Sequence, residues 1–104
     1  MQLSYNTETP FGSGLLAEGV GLKALGADAV ARMNELGVLV DLSHSNTPTT
    51  LEAAGISTKP VAATHTGARS VHGNIRNKSD AELRAIAETG GVVGVYLMWF
   101  RARF

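Results

Sequence analysis

Val38-Leu39-Val40-Asp41-Leu42-Ser43-His44 and, one unit later, Val61-Ala62-Ala63-Thr64-His65 repeat a single pattern. Each is an apolar run that ends in a polar residue and then histidine. His65 follows His44 by 21 residues, about the length of one strand–helix–strand step in a parallel sheet. Parallel neighbours lie about 4.8 Å apart. Imidazoles at two adjacent strand ends can therefore converge on one ion, with Zn–N bonds of about 2.0–2.1 Å.

Outward from this pair the chain alternates between strand and helix signals. Gln2 to Tyr5 reads as a short first strand, and Asn6 to Gly21 as a long loop punctuated by Pro10, Gly12, Gly14, Gly19 and Gly21. Val30, Met33 and Leu36 recur at helical spacing, so a helix is expected over Ala27 to Leu36, with Asp28 in its first turn and Gly37 closing it. Val38 to Leu42 is nearly all apolar, as parallel strands covered on both faces are. Thr47-Pro48 then predicts an N-cap and a proline at the first helical position, opening a helix to about Ala54. Val61 to Thr64 is the next strand, and a second long loop, 66–78, carries Arg69, His72, Arg76 and Asn77. Ser79-Asp80-Ala81-Glu82 is a capping box that starts a helix running to about Thr89. Val92 to Leu97 is a last strand, and Met98 to Phe104 carries no clear assignment. The expectation is an α/β fold of about four parallel strands and three helices, in one domain spanning residues 1–104. A closed (β/α)₈ barrel needs roughly 250 residues, so this is a partial barrel or a small open sheet. Either architecture places a ligand at the carboxyl ends of the strands.

Composition narrows the classes of function. The 104 residues are 44% hydrophobic and 17% charged, which belongs to a globular chain with one small core. Lys plus Arg and Asp plus Glu are nine each, so no net field draws the chain to nucleic acid or to a membrane surface. No cysteine is present, which excludes disulfides and thiolate metal ligands and leaves the compartment unknown. No secretory pattern and no stretch of roughly 18–20 apolar residues is found.

A single strand-end histidine is ordinarily a residue that hydrogen-bonds a loop carbonyl. Two at matched positions on successive units point to a metal instead. As ligands both must be neutral, each with its other ring nitrogen held by a further group. Two imidazoles do not complete a catalytic zinc site, which has three protein ligands. Alternation points Asp41 away from His44, so it reads as a group that bonds backbone or supports a ligand. Arg76, on the loop over the same sheet end, reads by spacing alone as a solvated residue; its functional reading is a fork for a substrate carboxylate. His72 is a third candidate ligand, but it lies mid-loop and is expected to be exposed. Tyr5 ends the first strand at the height of the histidines, where it could donate to a developing oxyanion or simply pack its ring. Neither a Ser-His-Asp arrangement nor an HExxH pattern is present.

Asp41-Leu42-Ser43-His44, then Thr64-His65, then Arg76-Asn77 before a capped helix and Gly90-Gly91-Val92-Val93 together resemble the membrane (renal-type) dipeptidase family, over about Leu3 to Met98. The resemblance implies a (β/α)₈ barrel holding two zinc ions, with a zinc-activated hydroxide cleaving dipeptides. By position, His44 and His65 resemble the two imidazole ligands of one zinc, and Arg76 the arginine that holds the substrate carboxylate. Tyr5 falls where well-known members carry a histidine that steadies the tetrahedral intermediate. The family's His-x-Asp ligands, bridging Glu and late Asp have no counterpart in this sequence, and Trp99 to Phe104 departs from the family pattern. The expectation is therefore an internal fragment holding at most one partial zinc site, inactive alone, whose open sheet edges invite self-association. Two other readings stay open: a small α/β binding module with structural histidines, and another metal-dependent amidohydrolase-type barrel.

Overall fold

A computed structural model describes residues 1–97. Its elements are α1 (Ala24–Leu36), α2 (Thr47–Ile56), β1 (Ala62–Thr66), α3 (Asp80–Glu88) and β2 (Val92–Val95). Met98 to Phe104, which carries no assignment from sequence and includes the stretch that departs from the family pattern, lies outside the described residues.

Among the described residues two strands form instead of the expected four: β1 and β2, paired in parallel. The other two expected strands survive only as isolated parallel bridges, Gln2 to Asp41 and Asp41 to Ala62. The backbone bonds are nonetheless those of a parallel array. Asp41 N donates to Met1 O (3.0 Å), Leu42 N to Ala62 O (2.7 Å) and Ala62 N to Val40 O (2.9 Å). The ladder stops because the chain turns at once: Ser45 N donates back to Leu42 O, so Ser43 and His44 sit in a tight turn, not on a strand end. Nor is the 38–42 segment covered throughout, since Val40 and Leu42 are buried while Val38 and Leu39 are exposed.

Helix ends follow local chemistry. Gly37 closes α1 at φ 69°, a left-handed conformation glycine adopts freely. The helix begins three residues earlier than periodicity predicts, at Ala24, which moves Asp28 out of the first turn. Asn46, not Thr47, caps α2: its side chain accepts from Thr49 N, and Pro48 takes the second helical position. The same Asn46 amide donates to Ala17 O and Val20 O, both at 2.8 Å, and pins the 6–21 loop over the helix start. The predicted capping box opens α3, with Ser79 and Glu82 bonding reciprocally.

The core lies between the helices and the parallel array. Val30 and Met33 of α1, Ala53 of α2 and Ile86 of α3 pack on Val40, Leu42, Val61 and Ala63. β1 runs one residue past His65, which therefore stands within the strand. The pairing shifts register between Ala63 and Thr66, and such an irregularity re-aims the side chains beside it. Gly94 lets β2 come close there, since a Cβ on it would sit 2.1 Å from Thr64 O. Among the described residues no helix is long and apolar enough to cross a membrane.

Candidate metal and carboxylate site

Asp41 is the foundation of the site. Its Oδ1 accepts from Ser43 N (3.1 Å), Ser43 Oγ (2.6 Å) and Thr64 N (3.2 Å), and its Oδ2 from Thr64 Oγ1 (2.7 Å) and Gln2 Nε2 (3.2 Å). The carboxylate thus ties together the first extended segment, the Ser43 turn and β1. Burial would raise its pKa, but these hydrogen bonds outweigh that and hold it well below the usual carboxylate range.

That network sets the protonation of the imidazoles. Thr64 gives its hydroxyl proton to Asp41, so its oxygen is left to accept from His65 Nδ1, 2.9 Å away. His44 Nδ1 lies 3.2 Å from Asn6 Oδ1, a carbonyl oxygen that can only accept. With both Nδ1 atoms carrying the proton, both Nε2 atoms present lone pairs. They face each other at 3.1 Å. Two Zn–N bonds of about 2.0–2.1 Å at a tetrahedral angle put the nitrogens about 3.3–3.4 Å apart, so the pair fits a shared ion after a shift of a few tenths of an ångström. Burial first, then the Arg76 and His65 charges, lowers the His44 pKa to about 4, keeping it neutral as a ligand must be.

Arg76 is buried, not solvated, against the spacing-based expectation. Its Nη1 donates to Ser43 O (2.7 Å), and its Nη2 to His44 Nε2 (2.9 Å) and His65 O (3.3 Å), while the guanidinium lies 5.5 Å from the Tyr96 ring centroid. Tyr5 is largely exposed and stacks on His44 with ring centroids 3.8 Å apart. His72 is exposed, and among the described residues no group of three His, Cys, Asp or Glu side chains is placed to hold a metal. His44, His65, Arg76 and Tyr5 are therefore brought together, and His72 is not.

Sequence reasoning missed Asn6, Ser43, Thr64 and Tyr96. Three of these were within reach, because Ser43 and Thr64 directly precede the histidines and Asn6 follows Tyr5. Tyr96, edge-on to His65 at 6.1 Å, carries no local signal.

The sequence model of a family described as membrane dipeptidase (peptidase family M19) matches residues 1–100. Dipeptidase 3 of Mus musculus is 38% identical over 77 residues, 74% of this chain and 16% of the relative. A crystal structure of an amidohydrolase from Pseudomonas aeruginosa superposes with a TM-score of 0.85 at 41% identity, covering 90% of this chain and 29% of that one. A metallo peptidase from Rhodobacter sphaeroides, liganded with a phosphinate mimic of the dipeptide L-Ala-D-Ala, superposes at 0.83 with 32% identity, covering 90% and 29%. The chain spans 36% and 18% of the length of two further curated relatives, from Klebsiella pneumoniae and Schizosaccharomyces pombe.

Proposed function

The chain belongs to the membrane dipeptidase family, and from that membership we propose that His44 and His65 are the imidazole pair of a zinc centre at which the whole protein hydrolyses dipeptides. The observation that carries this reading is the 3.1 Å approach of two Nε2 lone pairs, each set by a bonded Nδ1. When bound, zinc supplies Lewis-acid activation of water and of the scissile carbonyl. The chain's own residues do the rest. Asp41 fixes the His65 tautomer through Thr64, and Asn6 fixes that of His44.

Arg76 holds the dipeptide's carboxylate. Its Nη1 donates to Ser43 O and its Nη2 to His44 Nε2 and His65 O, which holds the guanidinium charge beside the imidazole pair, where it can attract that carboxylate. Tyr5, stacked over His44, is placed to offer its phenol to the developing oxyanion. Residues 1–104 are read as part of one barrel domain, with the remaining ligands supplied from outside this sequence. The chain alone is then inactive. Exposed Val92 and Val95 on β2 support self-association through that strand.

Titration of the chain with Zn²⁺ or Co²⁺ tests the reading. One ion is expected per chain, with binding lost in His44→Ala and in His65→Ala and no dipeptide turnover. Unchanged affinity in both variants would make the histidines structural, and robust turnover by the chain alone would overturn the inactivity. A different amidohydrolase-type barrel would bind metal equally, so substrate profiling of a longer protein separates that alternative.

A further inference from the structure

Beneath the site lies a charged pair that the chemistry above does not use. Lys78 and Glu82 are each 1% exposed, one turn apart at the start of α3. Burying an ammonium is unfavourable unless every proton finds an acceptor. Lys78 has three protons and three acceptors: Ser45 O at 2.6 Å, Thr50 Oγ1 at 3.0 Å and Glu82 Oε1 at 3.3 Å. Glu82 Oε2 accepts from Ser79 N, Ser79 Oγ and Thr47 Oγ1 at 2.9, 2.8 and 3.1 Å.

The position of Lys78 is as telling as its burial. Ser45 directly follows His44. The Lys78 main chain donates to Gly67 O (2.9 Å) and accepts from Arg69 N (2.8 Å), on the segment that leaves His65. Lys78 itself lies two residues after Arg76, whose carbonyl takes the Thr66 hydroxyl (3.0 Å). One residue thus joins the three segments that carry His44, His65 and Arg76.

We propose that Lys78 is a positioning residue: its buried ammonium clamps the His44 turn to the Arg76 loop and sets the spacing of the imidazole pair. The role rests on the metal-site reading for its consequence, but the clamp itself is visible without metal. Lys78→Met/Glu82→Gln removes both charges while keeping approximate shape. Expected are a folded chain by circular dichroism, a weakened nuclear Overhauser contact between the His44 and His65 rings, and at least tenfold weaker Co²⁺ binding. Val30→Ala, a core change under α1, supplies a destabilised control that keeps both readouts. Wild-type ring contact and metal affinity in the double variant would overturn the proposal, as would equal losses in Val30→Ala. In the wild-type chain the Lys78 ammonium protons should exchange far more slowly than those of exposed Lys59; equal rates would also overturn the clamp, whether or not the double variant folds. A wild-type chain that shows the ring contact but binds no metal would sink the zinc reading and leave the clamp standing.

Discussion

Replacing Asp41 by Asn strikes the group on which the site rests. The carboxylate accepts five hydrogen bonds from Gln2, Ser43 and Thr64. An amide keeps one accepting oxygen and turns an NH₂ toward donors at the other position. If the oxygen stays at the Oδ1 position, the bonds from Thr64 Oγ1 and Gln2 are lost. Hydrogen bonds to a charged group contribute about 1.5–3 kcal/mol each, and the partly exposed carboxylate belongs at the low end, so a loss of about 3 kcal/mol is expected. For a chain of this size that lowers the melting temperature by about 12–24 °C. The Thr64 hydroxyl, now facing a donor, must reverse and give its proton to His65 Nδ1. His65 then carries its proton on Nε2 and loses the lone pair that faces His44. Because the folded Asp41 pKa lies below its unfolded 3.8, its stabilisation is present above that value and lost as pH falls toward the folded one. The gap between wild type and variant should be widest at neutral pH and shrink between pH 5 and pH 2.5. Urea unfolding across that range gives the energies, and ¹⁵N NMR of the imidazole gives the tautomer. A variant within 1 kcal/mol of wild type at pH 7, or one whose His65 keeps its proton on Nδ1, would show that Asp41 does not hold the site in this way.

Three further outcomes follow from single distances and protonation states. Arg76→Met frees the His44 Nε2 lone pair from a donor 2.9 Å away and removes a neighbouring positive charge, so Co²⁺ affinity should rise about tenfold; calorimetry showing equal or weaker binding would contradict this. His44 takes up a proton near pH 4 when folded but near 6.5 when unfolded, so stability should decline as pH falls through that window, and this slope should be missing in His44→Gln. Gly94→Ala places a methyl 2.1 Å from Thr64 O and should separate β2 from β1, whereas Gly55→Ala in α2 meets nothing within 4 Å and should stabilise by about 0.5–1 kcal/mol; denaturant midpoints moving in the same direction would count against both.

What the sequence reveals divides along a physical line between local and long-range determinants. The Ser79–Glu82 box and the Gly37 cap lie within one turn of the backbone they serve, and both are found where expected. The histidine pairing was legible because a parallel array fixes the separation of equivalent positions on successive units. The reduction of the 38–42 strand to isolated bridges was not, because the Asp41 side chain draws Ser43 into a turn directly after it, whatever the apolar content before it. Thr47 and Asn46 are both good caps, and the choice was made by Ala17 and Val20, 29 and 26 residues away.

Arg76 and Lys78 show the same divide at its sharpest. Hydropathy assigns both to solvent, yet each is buried because carbonyls from the His44 turn, Ser43 O and Ser45 O, lie within reach of its cationic head. Those carbonyls are free to accept because the chain leaves the sheet at His44 instead of continuing its ladder. The turn that follows the 38–42 segment is therefore what supplies acceptors for the two cations. A change that restored regular strand geometry through Ser43 to Ser45 would take both acceptors away, leaving two buried cations each short of one acceptor beside the imidazoles.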